Sequence, residues 1–262
     1  MPRPLITLAT DFGQGSPYVA MMKGVIWSIN PDAVVEDITH CVPPQDVMRG
    51  ALVLEELAPW FPEGTIHVAV VDPGVGSDRK ILCATIAGRH YIAPDNGLLS
   101  GLARRSVPSR IIALTRPQYW LPDISATFHG RDIMAPVAAH LSLGVRPEDL
   151  GTAQTNLVQL EWPEVHVSAG KLEGVVESVD SFGNLVTNLT ADMLGGVPRD
   201  ERVQIECDEH ETQGIFRTYS DQPAMTLIAL MGSSGKLELA IVGESAAMML
   251  GIKPGAKVTV KW

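Results

Sequence analysis

The sequence predicts an α/β fold in two parts: an N-terminal α/β domain with a mainly parallel sheet, and a smaller C-terminal all-β barrel. Three observations predict it. Strand-like apolar runs alternate with helix-period segments through the first half of the chain. A segment without clear period, "GTAQTNLVQLEWPEVHVSAG", then breaks the alternation. After it come only short strand-like segments separated by turn residues. The expected domains are residues 1–155 and 171–262, with 156–170 as linker.

The elements follow in order. "LITLAT" reads as a buried strand, and "YVAMMKGVIWSI" as a helix with apolar residues at helical spacing. "AVVEDIT" is a second strand; "VMRGALVLEELAPWF" is a second helix, ended by Pro62 and Gly64. "TIHVAVVD", "KILCATIAG" and "HYIAP" read as strands, "GLLSGLARR" as a helix and "RIIALT" as a strand. "IMAPVAAHLSLG" is a helix closed by Gly144. In the second half "KLEGVVESVD", "NLVTNLT", "RVQIEC", "GIFRTYS", "MTLIALMG", "LELAIV" and "KVTVKW" are the barrel strands.

Composition narrows the class. With 262 residues, 45% of them apolar, the chain can bury a large core. A net charge of -10 repels a polyanion, which excludes nucleic acid as the expected partner and is compatible with a small cationic ligand. Cys41, Cys83 and Cys207 are odd in number and far apart, without a CxxC pair, so neither a disulfide framework nor a structural zinc site is expected. Asp11 interrupts the first apolar run, and no run approaches the roughly 18 residues of a membrane span. A soluble, cytoplasmic protein is expected.

Three predicted strands end in aspartate with glycine close behind: Asp11 in "TLATDFGQG", Asp72 in "VAVVDPGVG" and Asp95 in "YIAPDNG". In open parallel sheets ligands bind at the carboxyl ends of strands, so these acids mark a candidate pocket mouth; of the three, Asp95 best fits plain turn chemistry. The "GQGSPY" stretch lacks the third glycine of a dinucleotide fingerprint, because Tyr18 stands there, and a nicotinamide enzyme is disfavoured. In "VVDPGVGSDRK", Pro73, Gly74 and Gly76 bend the chain so that Asp72 and Arg79 can face each other. Such an arginine keeps a carboxylate ionised and oriented; a purely structural ion pair is the other reading. His129 lies beside Gly130 at a helix start, and no metal-binding spacing surrounds it. "SVDSFGNLVTN" gathers Asp180, Phe182, Asn184 and Asn188 around Gly183: a polar hairpin turn, or a set suited to an amino group and a flat heterocycle.

Together "TDFGQGSPYVAMMKG", "VVDPGVGSDRK", "IAPDNGLL", "TFHGRDIMAP" and "DSFGNLVTN" resemble the adenosine-forming S-adenosylmethionine hydrolase family (S-adenosylmethionine hydroxide adenosyltransferases), relatives of the fluorinating and chlorinating enzymes. The resemblance spans almost the whole chain. It implies hydrolysis of S-adenosyl-L-methionine to adenosine and L-methionine by water attack on the ribose C5′, with no cofactor. It also implies a homotrimer with substrate between the N-domain of one subunit and the C-domain of the next. Catalysis falls on Asp72, Arg79 and His129, and the ribose hydroxyls on Asp11. Adenine and the methionine head fall on Asp180, Phe182 and Asn184, with Ser233 near the methionine carboxylate. The halogenating branch tends to carry aromatic residues in place of Asp72 and His129, and a long insertion that the compact "KILCATIAGRHYIAPDNG" lacks. Ser234 replaces an arginine of the fluorinating branch, and Val242 stands where similar sequences carry asparagine. Two alternatives stand beside hydrolysis: halide transfer giving a 5′-halo-adenosine, and a non-catalytic protein that binds S-adenosylmethionine or adenosine.

Overall fold

The computed structural model describes residues 3–262. The chain clusters into two compact units, Met1–Leu160 and Glu161–Trp262, each with its own apolar core.

The first unit is built on a seven-stranded sheet. Its elements in chain order are β1 (Leu5–Thr10), α1 (Pro17–Ile29), β2 (Val34–Thr39), α2 (Val47–Leu57), β3 (Ile66–Val70), β4 (Ile81–Ile86), β5 (Arg89–Pro94), α3 (Ser100–Arg105), β6 (Arg110–Leu114), α4 (Ala135–Ser142) and β7 (Gly151–Ala153). Ser16 caps α1 by accepting from Tyr18 N, with Pro17 at the first turn, where its missing N–H costs nothing. Asp46 caps α2 by accepting from Arg49 N. Alternate residues of β3 and the position after it feed two cores on opposite faces of the sheet, Ile66, Val68 and Val70 on one, Ala69 and Val71 on the other.

The expectation of a mainly parallel sheet is corrected: the sheet is mixed. In the order β2-β1-β3-β5-β4-β6-β7, the pairings β2–β1, β1–β3 and β3–β5 are parallel. The pairings β5–β4, β4–β6 and β6–β7 are antiparallel. Only Ala87 and Gly88 separate β4 from β5, at φ +47° and +74°. A two-residue link with both φ positive makes a tight hairpin and cannot carry a parallel crossover. The parallel half still places the ends of β1 and β3 side by side, and Asp11 and Asp72 follow those ends.

The second unit comprises β8 (His166–Ser168), β9 (Lys171–Val179), β10 (Leu185–Thr190), β11 (Gln204–Cys207), β12 (His210–Gln213), β13 (Leu227–Met231), β14 (Lys236–Ile241), α5 (Ala246–Leu250) and β15 (Lys257–Lys261). Antiparallel pairing runs β12-β11-β15-β9-β10-β14-β13, with β8 beside β9. Alternate residues of β9 and β10 are buried, the pattern of a sheet with one face on a core. Thr212 Oγ1 donates to Leu227 O at 2.8 Å, tying the first strand of this order to the last, so the sheet is nearly barrel-shaped.

β3 also carries a buried histidine. His67 is 1% exposed, lies 2.7 Å from Thr7 Oγ1 through Nδ1, and stacks on Tyr91 at 4.9 Å. Burial, helped by the charge of Arg89, pushes its pKa down from 6.5 to about 4. The unfolded chain therefore binds a proton that the folded chain refuses. Stability is fully present above pH 6.5 and is lost as pH falls from 6.5 toward 4. Urea unfolding should show His67 contributing about 2 kcal/mol of stability loss between pH 7.5 and pH 5, a loss missing from the His67→Gln variant. Equal pH slopes in the two proteins would contradict the assignment.

Candidate active site

The stretch after β3 folds as two successive turns. Val75 N donates to Asp72 O at 3.2 Å and Ser77 N to Gly74 O at 3.1 Å. Gly76 adopts φ +80°, and a Cβ there would lie 2.4 Å from Ala126 O, so this loop packs directly on the segment that leads to His129. The turns bring Arg79 back over Asp72. Arg79 Nε donates to Asp72 Oδ1 at 2.6 Å and to Oδ2 at 2.8 Å, and Nη2 donates to Oδ2 as well. The pair is desolvated, the Asp72 side chain 5% and the Arg79 side chain 9% exposed. Three donor contacts on a carboxylate with about four lone-pair sites leave it one direction for a further donor.

The same Nη2 lies 3.0 Å from His129 Nδ1. A guanidinium has no lone pair to offer, so Nδ1 accepts and the ring proton sits on Nε2. Burial first, then the Arg79 charge, lower the His129 pKa below 6.5, partly opposed by Asp72 and Asp132. His129 is thus held neutral and as one tautomer. It precedes a π-helical turn, Gly130–Met134, that runs into α4. That turn directs the fully buried Asp132 carboxylate to accept from Ser125 N at 2.8 Å, which pins the loop holding His129.

Asp72 and His129 open onto a cavity of about 240 Å³, also lined by Asp11, Phe12, Gln45 and Phe128 among others. Asp11 Oδ2 accepts from Gln45 N at 2.8 Å. Phe12, Tyr18 and Phe128 pack edge-to-face, with centroids 5.1–5.8 Å apart, as an aromatic wall. Of the three strand-end aspartates, Asp95 does not line this cavity; its Oδ1 accepts from Val158 N at 2.8 Å, a tether for the chain beyond β7.

In the second unit, Asp180 Oδ1 accepts from Phe182 N and Asn184 N, each at 2.8 Å, and Asn184 Nδ2 donates to Asp180 Oδ2 at 2.9 Å. Asp180, Phe182 and Asn184 therefore form one locked turn, with Phe182 79% exposed. Asn188 belongs to structure instead: its Oδ1 accepts from Val175 N and its Nδ2 donates to Pro163 O. Ser233 is exposed in the turn between β13 and β14. Sequence reasoning passed over Tyr219, whose hydroxyl lies 3.3 Å from both Asn184 Nδ2 and Glu238 Oε2. It also passed over Gln45, a non-glycine residue at φ +65° that hands its N–H to Asp11. The "PPQD" context of Gln45 offered a turn signal but nothing tying it to Asp11.

If Arg79 helps hold His129 neutral, replacing it should raise the histidine. In Arg79→Gln, NMR titration of the ring should place the His129 pKa above its wild-type value. An unchanged or lower value would show that Arg79 is electrostatically idle there.

Comparison with known proteins agrees with this architecture. The SAM hydroxide adenosyltransferase N-terminal domain model matches residues 6–151, and the C-terminal domain model of the same family matches residues 174–259. An (R)-S-adenosyl-L-methionine hydrolase of Salinispora tropica is 38% identical over 99% of this chain and 98% of its own. A fluorinase of Nocardia brasiliensis is 28% identical over 99% of this chain and 97% of its own. The crystal structure of an uncharacterized conserved protein from Thermotoga maritima superposes with a TM-score of 0.93 at 34% identity, covering 98% of this chain and all of that one. With both halves matched in order and near-complete coverage of a hydrolase relative, the chain belongs to the SAM hydroxide adenosyltransferase family.

Proposed function

We propose that this chain is an S-adenosyl-L-methionine hydrolase that releases adenosine and L-methionine. The observation that carries the reading is the Asp72–Arg79–His129 constellation on the cavity, in a chain whose near-full-length relatives at 38% identity are named for this activity. The sulfonium departs as a neutral thioether, so the leaving group needs no acid. The demand falls on the nucleophile, since free water has a pKa of roughly 15.7.

Roles follow from the donor and acceptor inventory. Asp72, fixed by Arg79, has one acceptor direction left and takes a hydrogen from the attacking water. His129, with Nδ1 occupied by Arg79, donates from Nε2 to the water oxygen. In this tautomer histidine cannot be the base, which leaves that duty to Asp72. The water oxygen bonds to C5′ as the C5′–S pair leaves with sulfur, and the released proton passes through Asp72 to solvent. Holding the water in line behind C5′ supplies much of the rate.

Asp11 takes the ribose hydroxyls, a role supported by its place on the same cavity. Asp180, Phe182, Asn184 and Ser233 are proposed for adenine and the methionine head, supported by the exposed phenylalanine and locked amide of their turn. The working form is proposed as a homotrimer in which the N-domain of one subunit and the C-domain of the next share the substrate. The reading needs no cofactor, and the three free cysteines support a cytoplasmic setting.

Asp72→Asn and His129→Ala should each lower adenosine release from S-adenosyl-L-methionine by about 10²-fold or more. Asp72→Asn also leaves a buried guanidinium short of its counter-charge and should cost roughly 3–5 kcal/mol of stability. Circular dichroism checks that each variant is folded. Wild-type turnover in both folded variants would refute the assignment. With added chloride or fluoride the product mass should remain that of adenosine; a 5′-halo-adenosine would overturn hydrolysis, and tight calorimetric binding with no product over hours would mark a non-catalytic binder.

A further inference from the structure

A line of polar side chains runs behind Asp11 and takes no part in the mechanism above. Thr10, immediately before Asp11, is fully buried, and its Oγ1 accepts from Phe12 N at 3.2 Å. The same oxygen lies 2.9 Å from His40 Nδ1. On the far side of the ring, His40 Nε2 lies 3.1 Å from Asp37 Oδ1, while Asp37 Oδ2 accepts from Lys23 Nζ at 2.6 Å. The Nε2 contact is off the line required of a hydrogen bond, so it acts as an electrostatic one. A carboxylate that close still demands the proton on Nε2. With Nε2 carrying the proton in the neutral ring, Nδ1 accepts the Thr10 hydroxyl, which joins Thr10 to His40 by one directed hydrogen bond.

The backbone repeats the grip. Gly13 N donates to His40 O at 2.8 Å. His40 therefore holds the turn on both sides of Asp11, through Thr10 before it and Gly13 after it. The loop that begins at His40 ends at Gln45, whose N–H holds Asp11 Oδ2. A register shift in β2 sets this up: Leu8 pairs with Asp37 but Ala9 pairs with Thr39, so Ile38 is an extra residue. A bulge of this kind re-aims the side chains beyond it.

We propose that His40 is a positioning residue for Asp11. Through Thr10 and Gly13 it fixes the direction of the Asp11 carboxylate, and with it the orientation of the ribose relative to the water held at Asp72. The proposal rests on the reading of Asp11 as the ribose contact. A residue acting this way contributes only through Asp11, and contributes to kcat more than to KM, because misaiming the sugar spoils in-line attack more than it spoils binding.

The test is a double-mutant cycle with S-adenosyl-L-methionine as substrate and adenosine release as readout. His40→Ala should lower kcat/KM by about tenfold, chiefly in kcat, since small misplacements of a reacting group are costly. His40→Asn, whose amide oxygen can accept from Thr10, should recover most of that loss. In an Asp11→Ala background, His40→Ala should add less than about threefold, because the residue it positions is gone. Thr10→Val, which removes only the hydroxyl, should behave like His40→Ala in both backgrounds and carries the cycle if His40→Ala does not fold. A His40 or Thr10 loss of equal size in both backgrounds, or a fall in melting temperature with kcat unchanged, overturns the proposal while the Asp11 reading stands. An Asp11→Ala enzyme with unchanged kcat/KM removes the ribose reading, and the proposal with it.

Discussion

The side-on pairing of Arg79 with Asp72 is the interaction on which the site depends. It neutralises a buried carboxylate, occupies most of its lone pairs, and spends the remaining arginine reach on His129. One guanidinium thus orients an acid and a histidine together and fixes which ring nitrogen holds the proton. The planar fork of arginine makes this possible, and a lysine point charge would aim neither group. The pair needs two chain segments at a set separation, and the surrounding structure supplies them. The tight turns after β3 return Arg79 over Asp72, and the π-helical turn with buried Asp132 holds the opposite loop.

Around this pair the first unit places its groups by strand order. β1 and β3 are neighbours and parallel, so Asp11 and Asp72, each just beyond its strand, face one cavity. The antiparallel half of the sheet contributes no side chain to that cavity. It thickens the core with Ile81, Cys83 and Ile112, while β5, parallel to β3, carries Asp95 to where that residue tethers the chain near Val158. The second unit holds its polar groups differently, on a turn locked by its own aspartate and linked by Tyr219 to the buried Glu238.

Much of this was legible in the sequence, and the reasons are specific. Helix periods and strand runs located most elements of both units because burial on one face leaves a period in the residues. The exceptions are "GIFRTYS", read as a strand but holding only an isolated bridge at Phe216 and a 3-10 turn from Tyr219, and the short β7, β8, β12 and α5, too brief to show a period. The "DPGVG" turn and the return of Arg79 were legible because glycine and proline constrain the chain locally. The sheet direction was misread at β4 and β5, where the two-residue Ala87–Gly88 link already carried the hairpin signal. Of the strand-end aspartates, Asp95 in "PDNG" already read as the one best suited to plain turn chemistry, and in the structure it accepts from Val158 N and does not line the cavity. The positive φ of Gln45, the π-helical turn and the bulge at Ile38 left no trace that residue types alone could show. Each is imposed by packing rather than by local preference.

The contact between Gly76 and Ala126 sets a limit on how such a site can be altered. The two loops that carry Asp72 and His129 meet where one of them has no side chain at all. Gly76 is already the smallest residue available, so no substitution there can bring the loops closer, and any larger one prises them apart and displaces acid and histidine from each other. Room for a bulkier nucleophile therefore has to be carved from the lining instead, at Val75, Thr127 or Phe128. Evolution and engineering face the same geometry: the spacing of the two loops is fixed at its minimum, and diversity is left to the walls.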